Sequence, residues 1–298
     1  MTTTLSAVEP AAVPSRRRGE LLRRFARHKL AVGSLVFLVV LALVAALAPL
    51  LAPYDPNAQD LLGRLRAPSG GHWLGTDEFG RDVLSRTMYG ARVSMVAAAE
   101  ALIVAAGVGA PFGMIAGFAG RWVDGLLSRI FDGLMSIPAL ILALTLVAVL
   151  GPGLTNAMFA VGVVFAPRYF RVARAVTLEL RKETFIEASE ALGATSTHTM
   201  LRHIVPNIMS PLVIQASVLL GTAVTAEASL SFLGLGVRPP QASWGSMLSG
   251  AYSYAAQAPH LVYVPGIMIT LTVLAFTLAG DGLRGALGQR TTVVAEGV

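Results

Sequence analysis

Six long apolar stretches punctuate the chain, at approximately 31–52, 93–118, 133–150, 155–174, 208–230 and 262–280, separated by short polar intervals. Each approaches the roughly 20 residues that a helix needs to cross about 30 Å of hydrocarbon. Backbone polar groups find no water inside a bilayer, so runs of this length predict helices rather than open strands. The pattern therefore predicts an all-α integral membrane protein with six transmembrane helices and both termini on one side. The fourth stretch is the most polar, because Arg168, Arg171 and Arg174 crowd its end, and it spans only if they snorkel.

The first apolar stretch has two features of a cleavable leader, a preceding basic run and Ala46-Leu47-Ala48 at its end. It exceeds the roughly 7–15 residues of a leader's apolar region and is followed at once by Pro49, so it is expected to stay as an anchor. The polar intervals divide the chain into a tail with a basic juxtamembrane segment (1–29), a membrane domain (30–285) and a short tail (286–298). The largest intervals are 53–92 and 176–207. Residues 1–15, rich in Thr, Ala and Pro, predict no ordered element.

Charge orients this arrangement. Of 23 Lys and Arg residues, 17 fall in the tails, in the second-to-third interval and around the fourth-to-fifth interval. The positive-inside bias makes that side cytoplasmic, with 53–92 outside. Arg86 and Arg92 resist the assignment by flanking an entry on the outer side, with Asp77, Glu78 and Asp82 close by to offset them. A net charge of +6 is thereby explained by the membrane, and no nucleic-acid partner is expected. The composition agrees, with 54% hydrophobic and only 13% charged residues. There is no cysteine, and His28, His72, His198, His203 and His260 lack ligand spacing, so no metal site is expected.

The inner interval 176–207 has structure of its own. Thr184-Phe-Ile-Glu187 fits a capping box and predicts a helix from about Phe185, with Phe185, Ala188 and Leu192 on one face. Gly193 is placed to end it, Thr195 to Thr197 to cap a second short helix, and Pro206 to close that helix before the fifth span. Elsewhere, Gly109, Gly113 and Gly117 recur every fourth residue, predicting a close helix contact either within the chain or with a partner subunit. Pro111 on the same segment predicts a kink. Glu100 and Glu227 lie in apolar surroundings, where a carboxylate either lines a path or makes a structural bond. Asp132 is expected to pair with Arg129. Outside, Asp77, Arg81 and Asp82 either close an internal knot or face an extracytoplasmic protein. Val83, Leu84 and Met88 predict a short helix on the membrane surface.

Three stretches carry a family resemblance. Glu187-Ala188, then Gly193, then Pro206 resemble the EAA loop of ABC importer permeases, with Ser189 in place of the third residue of the Glu-Ala-Ala pattern and His203 where an aliphatic is common. Arg202-His203-Ile204-Val205-Pro206-Asn207 is similar to the RHILPN of the peptide-transporting branch. HWLGTDEFGRDVLSR (72–86) and EASLSFLGLGVRPPQASWG (227–245) resemble the C-type permease of dipeptide, oligopeptide and nickel importers. The resemblance runs from about residue 20 to 285, with Ala166 departing from a common tryptophan.

The resemblance implies a type I ABC importer permease of the bacterial inner membrane, working with a homologous second permease, two cytoplasmic ATPases and an extracytoplasmic binding protein. It implies coupling through Glu187, Ala188, Ser189, Gly193, His203 and Pro206, with peptide, nickel or another small solute as cargo. The chain has no phosphate-binding G-x-x-x-x-G-K-[ST], so no cofactor is expected here, and ATP and Mg²⁺ would belong to the partner ATPases. An ion-coupled secondary transporter would need paired broken helices and ion ligands, and an intramembrane enzyme a nucleophile with its base. Neither pattern is evident in the sequence.

Overall fold

The computed structural model describes residues 23–287. The expected features of 1–22 and 288–298, including Arg16, Arg17, Arg18 and Arg290, lie outside the described residues. Among the described residues every regular element is helical, apart from one isolated bridge between Thr76 and Asp82.

The elements are α1 (Lys29–Ala46), α2 (Ala48–Leu51), α3 (Val83–Ala119), α4 (Arg121–Ser136), α5 (Ala139–Leu150), α6 (Leu154–Leu180), α7 (Thr184–Ala191), α8 (Ser196–Thr199), α9 (Val205–Phe232), α10 (Trp244–Tyr252) and α11 (His260–Ala286). A π-helical turn, Met200–Ile204, joins α8 to α9. By length and composition α1, α3, the run Ser196–Phe232 and α11 can each cross a membrane, and α4 with α5 adds a fifth only if that bent pair is taken as one span.

The third apolar stretch departs from the straight span expected at 133–150. Pro138 cannot continue the preceding helix, and α4 and α5 meet at 95° across Ile137-Pro138. The surface helix expected at Val83–Met88 is instead the first turns of α3. Asp82 caps α3 by accepting from the Ser85 amide at 2.8 Å, and the helix runs unbroken through Pro111.

The longest contact is between α3 and α6. Every fourth residue of α3 from Ala97 through Ala101, Ala105, Gly109 and Gly113 to Gly117 is small and buried. A Cβ on Gly109 would run into the Ala166 carbonyl and stand 2.6 Å from the Tyr169 Cβ; one on Gly113 would stand 2.7 Å from the Ala173 Cβ. The glycine stripe is thus filled by α6, and the alternative of a partner-subunit contact is corrected: no surface is left there for a second chain. Helix α9 packs against α3, α6 and α11, while α1 closes over α11 and α3. Met158, Val161, Phe165, Leu219, Val224 and Phe276 fill the centre.

Candidate functional site

At one end of the bundle the loops before α3 and after α9 interlock. The Asp77 carboxylate accepts from the amides of Phe79 and Arg81 at 2.9 Å and from Arg81 Nε at 2.6 Å. Asp82, besides capping α3, accepts from the Ser85 hydroxyl at 2.8 Å and meets His72 Nδ1 at 2.9 Å. Arg86 donates to the carbonyls of Pro56 and Pro240, 3.0 and 3.4 Å away, and lies 3.4 Å from Asp77. Asp77, Arg81 and Asp82 are all buried by these contacts, so of the two readings the internal knot is the one formed and the binding-protein alternative for these side chains is corrected: they hold the loop together from inside. Exposed apolar groups of this layer include Leu61, Leu62, Trp73 and Tyr252, whose spacing in the sequence carries no signal of exposure. Arg86, the outer-side base that looked misplaced, has its counter-charge in Asp77.

A second clamp fastens α10 to α3. Trp244 is fully buried, its Nε1 donates to the Thr87 carbonyl at 3.1 Å, and Gly90 leaves room for its ring. Beneath it Glu227 is fully enclosed, accepting from the hydroxyls of Ser94 at 2.9 Å and Ser231 at 2.7 Å. This carboxyl joins α9 to α3 and does not face a path, which corrects the pathway alternative for Glu227. Glu100 differs. It is half-buried on α3, and its Oε2 has no hydrogen-bond partner.

At the opposite end α7, α8 and the π turn form a compact knob. The Glu183 carbonyl receives the amides of Ile186 and Glu187, so α7 begins at Thr184. It ends at Gly193 (φ +85°), where the Ala194 amide reaches back to the Ser189 carbonyl at 3.1 Å. That six-residue closure requires the left-handed glycine. Thr195 caps α8 by accepting from the His198 amide. Ile186, Thr199 and Ile204 turn inward, while Phe185, Leu201 and Leu192, the last 89% exposed, stand out. Glu187 and Ala188 are exposed beside them and Ser189 is half-buried. The His203 ring lies 5.9 Å from Phe185 and 6.3 Å from His198, centroid to centroid.

Pro206 does not close the second helix. The Val205 amide bonds to the Met200 carbonyl in the wide π register, and Pro206 sits in the first turn of α9, where its missing donor is tolerated. The helical run is therefore continuous from Ser196 to Phe232.

Between the two ends, a cleft of about 330 Å³ opens along α9, α5 and α6. Ala143, Val161 and Phe165 form its apolar wall, and Thr222, Thr225 and Ser229 of α9 its hydroxyl wall. Those hydroxyls donate to carbonyls of their own helix, so none is left as an unpaired donor. Among the described residues no group of three or more metal-ligating side chains gathers.

Comparison with known proteins assigns this arrangement. Residues 109–293 match the binding-protein-dependent transport system inner membrane component, and residues 18–68 match the N-terminal TM domain of oligopeptide transport permease C. The chain belongs to the family of binding-protein-dependent inner membrane transport components. A dipeptide transport system permease protein from Alkalihalophilus pseudofirmus is 41% identical over 271 residues, 91% of this chain and 89% of that protein. A glutathione transport system permease protein from Pectobacterium atrosepticum is 40% identical over 291 residues, 97% of this chain and 96% of that one. The fold is similar to a chain of an inward-facing methionine ABC transporter, with a TM-score of 0.56 and 21% identity, over 70% of this chain and 98% of that chain. The protein is a multi-pass inner-membrane permease component of a bacterial ABC importer, the C-type resemblance being matched by the model over residues 18–68.

Proposed function

We propose that this chain forms one half of an ATP-driven import path for di- or oligopeptides and receives its drive through the loop 176–207. The observation that carries the reading is the knob. Its apolar side chains Phe185, Leu192 and Leu201 face outward, its bend is held by a glycine at positive φ, and its second helix runs without a break into α9. An exposed apolar surface of this kind on a polar loop is a docking face. A helix continuous with a membrane span moves that span when it is pushed, which is the rigid-body transition alternating access needs.

The docking partners would be two ATPase subunits, which would hold ATP and Mg²⁺. A homologous permease would form the other half of the path, and an extracytoplasmic protein would deliver cargo. Peptide cargo is supported by relatives that bear the names of dipeptide and glutathione permeases. The cleft fits such cargo, since it offers apolar side walls and a neutral hydroxyl wall without a fixed charge. Glu100, with an unpaired oxygen, lies outside the lining of this cleft, and we assign it to the path beyond the cleft.

The assembled transporter in proteoliposomes tests this. Glu187→Lys reverses a charge on the docking face, and Gly193→Pro demands a φ near −65° where the chain has +85°. Both are expected to abolish peptide uptake and to disconnect ATP hydrolysis from binding protein and peptide, with membrane insertion unchanged. Normal uptake and normal stimulation in both variants would remove the coupling assignment. Uptake of nickel but no peptide would remove the cargo assignment and leave the coupling intact.

A further inference from the structure

Helix α4 carries two apolar surfaces. Phe131, Leu127 and Leu134 pack on Ala116, Ala166 and Phe170, with Phe131 stacked on Phe170 at 4.2 Å between centroids. The other surface is open, with Trp122 at 89%, Leu126 and Ile130 exposed together with Val123. At about 100° per residue these four and Gly133 share roughly a 100° arc, and the side occupied by Arg121, Gly125 and Asp132 is polar.

Two measures place this helix within the bilayer. The turn 151–153 before α6 belongs to the outer layer: the Gly153 amide donates to the Leu235 carbonyl, and Arg238 donates to Pro152 at 2.6 Å. From Leu154, Phe170 lies about 24 Å along α6 and Arg174 about 30 Å, which is one hydrocarbon thickness. The contacts of α4 fall at that depth. Asp132 bonds to Arg171 at 2.7 Å, correcting the expected Arg129 pairing, and Asp124 chelates Arg174, with Nη2 to Oδ2 at 2.6 Å. Between Asp124 and Asp132, α4 advances about 12 Å while its partners advance only about 4.5 Å along α6. Together with the 95° corner before α5, this lays α4 nearly flat at the inner boundary.

Both acids of α4 are neutralised by α6, whereas Arg121 and Arg129 are exposed with no ion pair among the described residues. We propose that α4 is an in-plane interfacial helix. Its Trp122–Leu126–Ile130 face lies among the acyl chains of the cytoplasmic leaflet, and Arg121 and Arg129 meet anionic lipid headgroups. A tryptophan at the start of the helix and free arginines along its edge suit that boundary. Through its two ion pairs α4 then acts as a float, holding the inner end of α6 at headgroup level.

The absence of native cysteine allows single spin labels in the complete transporter, reconstituted with its partner subunits in nanodiscs of phosphatidylethanolamine and phosphatidylglycerol. Gly125 and Gly133 are the cleanest sites, since a side chain at either meets nothing within 4 Å. Labels at Gly133→Cys, Leu126→Cys and Ile130→Cys are expected to collide with oxygen several-fold more than with a water-soluble nickel chelate, and the label at Gly125→Cys the reverse. Replacing phosphatidylglycerol by phosphatidylcholine should move the Gly133 label toward water, and Arg121→Gln with Arg129→Gln should cancel that lipid dependence. Shielding of the 126, 130 and 133 labels from both reagents would mean that a protein subunit covers the face, and free access of the chelate to all of them would mean water. Either result overturns the proposal.

Discussion

Gly109→Ala adds one methyl group to the α3–α6 contact, and the structure states what it strikes. The new Cβ meets the Ala166 carbonyl, the Tyr169 Cβ at 2.6 Å and the Phe170 amide nitrogen at 2.9 Å. None of these is the far end of a flexible side chain, so relief must come from separating the helices. Ordinary carbon contacts lie near 3.5–4.0 Å, so the helices must part by about 1 Å, a gap that forfeits roughly a quarter to a half of each dispersion contact along the seam. Overpacking of this kind costs about 1–3 kcal/mol. For a domain of this size that is a fall in Tm of roughly 2–5 °C. Gly113→Ala should match it, since its Cβ meets the Phe170 carbonyl and the Ala173 Cβ. Gly117→Ala should cost a comparable amount, because its Cβ meets the Thr177 Cβ at 2.7 Å and the Arg174 carbonyl at 3.0 Å. The control lies on the same helix. A Cβ at Gly107 meets nothing within 4 Å, so Gly107→Ala should leave Tm unchanged or raise it. Thermal unfolding in detergent, followed by fluorescence-detected size exclusion, measures all four. Equal Tm values for Gly109→Ala and Gly107→Ala would refute the view that backbone proximity along this stripe holds the bundle together.

Three further predictions use the same assay. Glu227→Ala strands the hydroxyls of Ser94 and Ser231 and opens a cavity, for an expected loss of about 3–5 kcal/mol, while Glu227→Gln retains partners for both and should cost under about 2; equal losses would show that ionic charge, not hydrogen bonding, is what the site needs. Asp82→Ala removes the cap of α3, which is worth about 1–2 kcal/mol, and releases His72, so it should loosen the outer layer more than Asp82→Asn. Asp124→Asn should cost about 1 kcal/mol, given the partial exposure of its pair with Arg174; the swap Asp124→Arg with Arg174→Asp should recover part of it, and a swap no better than either single change would argue against the pair.

Helices that cross the bilayer whole were legible from hydropathy alone. The expected 31–52, 93–118, 208–230 and 262–280 became α1 with α2, α3, α9 and α11, longer chiefly where helices extend beyond hydrocarbon and composition stops reporting. Helix α6 was legible only in its apolar part, because its last turns carry the arginines that serve α4. The third stretch misled because hydropathy averages over direction. Residues 133–150 read as one rod, although Pro138 turns the chain, and the amphipathic α4 has its signal in the spacing of Trp122, Leu126 and Ile130 rather than in mean apolarity. The glycine stripe was visible, but its extension through Ala97, Ala101 and Ala105 was not, since alanine is unremarkable in a greasy segment. In the knob, Gly193 and Thr195 acted as their chemistry dictates. Pro206 did not, because a π turn upstream removed the conflict that makes proline a helix breaker. The Asp77–Arg81 pairing was legible as one of two readings of local spacing, whereas the enclosure of Glu227 by Ser94 joins residues distant in sequence, which no local spacing reveals.

The unbroken run from Ser196 to Phe232 is about 55 Å long, far more than the bilayer's apolar slab requires. A beam of that length amplifies angle into travel: a tilt of about 10° around its midpoint carries each tip sideways by roughly 5 Å, in opposite directions. On the proposed coupling, a push at the Ser196 tip would thus swing the far tip, where Ser231 and Phe232 meet the clamp around Trp244, the opposite way, so one stiff member would shut one mouth of a passage as it frees the other.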